Sequence, residues 1–154
     1  MDQVYVASNG GAFAATAGAK TLLKIVTPTG FNIKLHEICV SMDGVTSSAV
    51  PATLEFFTSD ETGAGTGGGS PTIVQIKGAT LAHGCTVTGN HTAEGSAYTI
   101  IKGLYVPQFM GALILQNPLG LEEQSPAGTA DSIGMRINVS ANVNVRAWMK
   151  FSRA

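Results

Sequence analysis

Apolar and polar residues alternate with a period of two along much of this chain, most cleanly near its C-terminal end. Ile133, Met135, Ile137 and Val139 fall on one side and Gly134, Arg136, Asn138 and Ser140 on the other, the pattern of a strand with one buried face. After Ala141-Asn142 the alternation resumes, with Val143, Val145, Ala147, Met149 and Phe151 against Asn144, Arg146, Trp148 and Lys150. The two runs are expected to form a hairpin about a tight Ala-Asn turn. Upstream, residues 20–27 read as a strand ended by Pro28-Thr29-Gly30, because proline lacks a ladder donor and glycine opens a turn. Over residues 32–43 the apolar phase slips from Ile33 and Leu35 to Ile38, Val40 and Met42, which predicts a bulge near His36-Glu37. Residues 53–58, 72–76, 97–106 and 112–116 complete a set of about eight short strands, and no run sustains a helical period. That spacing belongs to an all-β sandwich or barrel.

Two segments break the alternation. Residues 1–19, with Ser8-Asn9-Gly10-Gly11 and the Ala-rich stretch around Phe13, are small and weakly patterned. They read either as an extended N-terminal arm laid over a neighbouring subunit or as an edge strand with a frayed end. On the arm reading, deleting residues 1–18 would abolish attachment and leave the folded domain of residues 20–154 intact. The run Gly63-Ala64-Gly65-Thr66-Gly67-Gly68-Gly69 has no apolar anchor and reads as a flexible loop. A phosphate cradle would need a helix after it, and Pro71-Thr72-Ile73-Val74 is strand-like.

Composition narrows the function. The chain has 154 residues, of which 44% are hydrophobic, so one ordinary domain with a real core is expected and a disordered segment is not. Charged residues are only 12%, about half the usual share, which points to a surface of small polar residues or one covered by assembly partners. A net charge of -1 offers no footprint for a phosphate backbone, so no nucleic acid partner is expected. No stretch approaches the roughly 20 apolar residues of a membrane helix, and the acidic start MDQVYVASNGG does not read as an export signal. Neither a membrane nor a small-molecule substrate is expected as a partner.

The reactive residue types form no catalytic pattern in the sequence. No G-x-S-x-G elbow or papain-like cysteine context is present, so no catalytic residue is assigned and the chain is not expected to be an enzyme. His83 and Cys85 stand two apart, but Cys85 leads into Thr86-Val87-Thr88, where a cysteine more often packs than reacts. Cys39 and Cys85 read as free thiols, with a bridge between them left open. His36 and His91 show no ligand spacing, so no metal and no cofactor is expected. Asp60-Glu61 and Glu122-Glu123 read as solvated loop charges, and Asp43-Gly44 as a turn. Trp148, set between Arg146 and Lys150 on the more polar face of the last strand, suits either a protein interface, since aromatic residues and arginine dominate interface centres, or packing under a loop or a second sheet. Phe109-Met110, after Val106-Pro107-Gln108, and Phe13 in the arm are further interface candidates.

Several segments together resemble the small jelly-roll-like head decoration, or cement, proteins of tailed bacteriophages. They are Ser41-Met42-Asp43-Gly44-Val45-Thr46-Ser47-Ser48-Ala49-Val50-Pro51 leading into Leu54-Glu55-Phe56, the Thr/Gly-rich loop over residues 62–70, Leu115-Gln116-Asn117-Pro118-Leu119-Gly120-Leu121-Glu122, and the closing runs 135–139 and 145–147. The ending Phe151-Ser152-Arg153-Ala154 and the stretch over residues 86–94 depart from the family pattern. The resemblance implies an antiparallel, jelly-roll-like β-sandwich that forms a homotrimer on the capsid exterior, with the major capsid protein as partner, assembled in the host cytoplasm. The rival expectation is a carbohydrate- or receptor-binding sandwich of a phage tail or fibre, against which an aromatic content of 6% counts.

Overall fold

The computed structural model describes residues 3–11, 13–28, 30–43, 49–59, 65, 67–109, 111–125 and 131–154. Twelve strands and no helix occur among them. They are β1 (Val4–Ser8), β2 (Phe13–Ala15), β3 (Gly18–Val26), β4 (Ile33–Met42), β5 (Ala52–Ser59) and β6 (Ile73–Lys77), then β7 (Thr86–Gly89), β8 (Thr99–Val106), β9 (Ala112–Gln116), β10 (Glu123–Gln124), β11 (Ser132–Val139) and β12 (Val143–Arg153). Two antiparallel sheets pack face to face. The first runs β10-β4-β12-β1-β6, with β9 also on β4 and β2 also on β12; the second runs β7-β3-β11-β5-β8.

Eight of these strands form a jelly roll. Taken in chain order as β1, β3, β4, β5, β8, β9, β11 and β12, the first pairs with the eighth, the second with the seventh, the third with the sixth and the fourth with the fifth. That is one long antiparallel ribbon; rolling it up brings the eighth strand beside the third and the seventh beside the fourth. The other four strands, β2, β6, β7 and β10, are additions; of the about eight strands expected from the sequence, residues 72–76 correspond to the addition β6, and β1 was not among them. β6 and β7 lie in the connection between β5 and β8, where β6 extends the first sheet beyond β1 and β7 extends the second beyond β3. β8 ends the second sheet on the other side, opposite β9 and β10.

The alternation read from the sequence sets the core. Ile33, Leu35, Ile38, Val40, Val145, Met149 and Phe151 from one sheet meet Leu23, Ile25, Leu54, Phe56, Ile133, Met135 and Ile137 from the other, all of them buried. The bulge expected near His36-Glu37 is present: β12 pairs Lys150 with Glu37 and Phe151 with Leu35, leaving His36 without an opposite residue.

Three expectations are corrected. β11 and β12 are not a hairpin: β11 lies between β3 and β5 in one sheet and β12 between β4 and β1 in the other. Period two tells which face of a strand is buried but not which strand lies beside it, and the Ser140-Ala141-Asn142 connection crosses between sheets. The segment read either as an arm or as an edge strand with a frayed end supplies β1 and β2 to the first sheet of its own chain, with Tyr5, Ala7 and Ala15 in the core. Buried Asn9 then donates to the Val145 carbonyl at 3.2 Å and accepts the Ala147 N–H at 3.1 Å. In the glycine run, residues 60–64 and 66 lie outside the described residues, but Gly69 pairs with Gly89 and a side chain on Gly67 or Gly68 would collide with residues 89–92. Here glycine allows one backbone to lie close against another.

Candidate interaction surfaces

The first sheet presents Trp148 on its outer face, level with Ser8 of β1, Cys39 of β4 and, beyond Cys39, Ile114 of β9. In the neighbouring row the Lys150 amine donates to Glu37 at 3.0 Å, and the Gln116 amide donates to the other Glu37 oxygen at 2.5 Å. The Gln116 hydrogen bond, helped by Lys150, holds the Glu37 carboxyl below its ordinary value against the opposing effect of burial. Lys150 also lies 5.6 Å from the Trp148 ring centre. Arg146, opposite Ser41, is exposed. Together with Trp148, Ser8, Asn9 and Gly10 it lines a cavity of about 300 Å³. The structure thus groups Arg146, Trp148 and Lys150 on one face. Phe13 lies apart in β2, half-buried against the core, and Met110 falls outside the described residues.

A second surface was largely missed in the sequence. β8 and β9 are the outermost long strands where the two sheets end side by side, and they and their loops leave large apolar side chains in solvent. Tyr105 is 82% exposed, Phe109 70%, Leu119 90% and Leu121 75%, with Ile100, Ile101, Leu104 and Ile114 also exposed. Of these, the sequence singles out Phe109 as an interface candidate. The available signal was Thr99-Ile100-Ile101-Lys102-Gly103-Leu104-Tyr105, whose apolar residues do not alternate cleanly, as expected of a strand that does not bury one face. The opposite side differs, because there β6 and β7 cover the edges of β1 and β3, although Val74 and Ile76 of β6 remain exposed.

The ionic groups near the open edge are tied down within the chain. Glu123 lies in β10 with its side chain 13% exposed and ion-pairs with Lys102 of β8, bridging the two sheets. Glu122 accepts the Gly120 N–H at 2.9 Å and stands 4.0 Å from His36. The expectation of two solvated loop carboxylates is therefore corrected: one is a strand residue in a cross-sheet ion pair. Asp60 and Glu61 lie outside the described residues. Asp43 accepts from Asn144 at 2.5 Å, and Gly44 of the expected turn is likewise outside the described residues.

The reactive residues take structural positions. Cys39 and Cys85 are both free and buried, which closes the question of a bridge. The Cys85 backbone N–H donates to His83 Nδ1 at 3.1 Å, so that ring nitrogen is occupied by the backbone instead of facing the thiol as a base. Burial pushes the Cys85 thiol up to about 11, against the pull of Arg153, and also raises Cys39. His36 pairs with Ser152 at 2.8 Å and His91 with Thr88 at 2.9 Å. Among the described residues no group of three or more His, Cys, Asp or Glu side chains could hold a metal ion.

No protein-family model matches the chain, and neither does any curated protein. Among solved structures, the crystal structure of the infectious bursal disease virus VP2 subviral particle is similar with a TM-score of 0.29 and 8% identity, covering 98% of this chain and 41% of that one. This chain therefore spans well under half of that protein, and a likeness of this size carries no argument about function.

Proposed function

We propose that this protein is a virion structural component, a decoration or cement protein that assembles as a homotrimer on the outer surface of a tailed-phage head and binds the major capsid protein. The observation that carries the reading is the concentration of Tyr105, Phe109, Leu119 and Leu121, the most exposed large apolar side chains described, at one open edge of the sandwich. Exposed apolar area of this kind marks a surface meant for another protein. The face around Trp148 and Arg146 adds a second surface with the aromatic and arginine content of an interface. A shell-stabilising protein works by distributing contacts over several neighbours, and linking several copies makes modest individual contacts strong in sum. The resemblance noted in the sequence supports the same assignment.

The test is co-sedimentation of the purified protein with phage heads that lack their decoration, alongside a glycan-binding screen. Saturable pelleting with heads, and a rise in the temperature at which the heads rupture, is the expected result. Failure to pellet combined with glycan binding would move the assignment to a receptor-binding module of a tail or fibre.

A further inference from the structure

The two surfaces differ in chemistry. Along the open edge Lys102 is paired with Glu123, and Glu122 accepts the Gly120 N–H. On the outer face of the first sheet, Arg146 is exposed and makes no ion pair among the described residues. We propose that the open edge is where one copy of this chain meets the next. The β8 side of one copy, with Ile101 and Tyr105, lies against the β9–β10 side of its neighbour, with Ile114, Leu119 and Leu121. The face around Arg146 and Trp148 is then left free for the shell. This deepens the assembly half of the proposed function and rests on it.

Area supports the assignment. The exposed apolar side chains of β8, β9 and their loops amount to on the order of 800 Å², more than a typical monomer leaves uncovered in one patch; because each contact joins the β8 side of one copy to the β9–β10 side of the next, this is the apolar total of one interface and, with its polar rim, falls at the lower end of stable interfaces. Charge supports it too. A partner bringing a charged group against Tyr105, Leu119 and Leu121 would have to strip its water to meet apolar side chains that cannot compensate it. A second copy brings an edge that is equally apolar, with Lys102 already paired to Glu123. The contact is made by side chains and not by a shared sheet, because β8 carries a bulge: β5 pairs Phe56 with Lys102 and Phe57 with Ile100, leaving Ile101 unmatched. Such a bulge interrupts the straight row of backbone groups that an added strand needs.

The experiment is light scattering on the full chain over a range of concentrations, comparing wild type with Tyr105→Asp, Leu121→Asp and the double variant, and separately with Arg146→Glu. Tyr105 and Leu121 are exposed, so the fold should survive, and thermal unfolding followed by circular dichroism verifies it. The wild type should be a multimer. Each edge variant should raise the concentration of half-dissociation by about ten-fold or more, and the double variant should be monomeric. Arg146→Glu should keep the multimer mass and lose binding to heads. As a check that does not depend on disrupting assembly, Tyr105→Cys chains mixed with Leu121→Cys chains should become covalently joined by a short thiol cross-linker. A wild type that stays monomeric, an assembly insensitive to the double variant, or one dissolved by Arg146→Glu instead would each overturn the proposal. An edge-dependent multimer that ignores heads would leave this inference standing and remove the capsid assignment.

Discussion

Gly134 sits on β11 between Lys24 of β3 and Phe57 of β5. A Cβ there would come within 2.6 Å of both the Leu23 carbonyl oxygen and the Phe57 ring, and neither can retreat within a packed sheet. Gly103 on the open edge is the natural control, because its nearest neighbours would be 3.9 Å away. Gly134→Ala should therefore cost about 2 kcal/mol through overpacking, while Gly103→Ala should be neutral or slightly stabilising. Urea unfolding of the two variants checks the pair; equal midpoints would mean that the sheet yields around Gly134 more easily than its neighbours suggest. The sequence placed Gly134 on the polar side of its strand but could not show this crowding. The aromatic ring over Gly134 comes from a residue far along the chain, and alternation carries no information about how closely two strands' side chains stack. Trp148 was easier to read, since an indole between Arg146 and Lys150 on a polar face is unusual whatever surrounds it.

At the scale of elements, β4, β9 and β12 are joined on their outer face by Glu37, Gln116 and Lys150, and this trio makes a prediction about pH. The folded-state pKa of Glu37 is lowered, chiefly by the Gln116 amide. A carboxyl held lower in the folded state than in the unfolded chain adds stability above its ordinary value of 4.5, and that stability is lost as the pH falls through the folded value. The urea midpoint of the wild type should accordingly drop on acidification below the ordinary carboxylate range. Glu37→Gln should lower the midpoint at pH 7 and flatten this acid limb, and Gln116→Leu should do so in part. An unchanged acid limb in Glu37→Gln would place the pH sensitivity elsewhere. The bulge that sets this geometry was legible, because Ile33 and Leu35 are out of phase with Ile38 and Val40. The trio was not, since Gln116 and Lys150 come from strands whose adjacency to β4 depends on the topology.

For the whole molecule, the defining contact is between the first and last strands, and it is the least legible feature in a sequence read from one end. The alternation supplied most of the strands and the class of fold, but β1 is short, its surroundings are small and polar, and its partner β12 lies at the far end of the chain. A segment of this kind looks like an arm until its register is known. In the structure β1 pairs with β12 along its whole length from Val4 to Ser8, and among the described residues it provides the only strand partner of β6. Tyr5 is buried with its ring centre 5.6 Å from that of Phe151, and its hydroxyl donates to the Leu81 carbonyl at 2.9 Å. Removing residues 1–11 would delete Tyr5 and Ala7 from the core, leave β12 with an open ladder and detach β6. Losing one buried aromatic side chain alone costs about 3–5 kcal/mol, a large part of the roughly 5–15 kcal/mol that holds a domain together. The truncated chain should therefore lose its cooperative unfolding transition altogether, as followed by circular dichroism or calorimetry. The arm reading expects the opposite: a truncated protein that melts as sharply as the full chain and fails only to attach. A sharp transition with a wild-type midpoint would mean that β12 is stable without its first-strand partner and that residues 1–11 serve attachment alone. Loss of the transition would make the first strand part of the fold itself, and would leave β8, β9 and the Arg146–Trp148 face to carry the contacts with other chains.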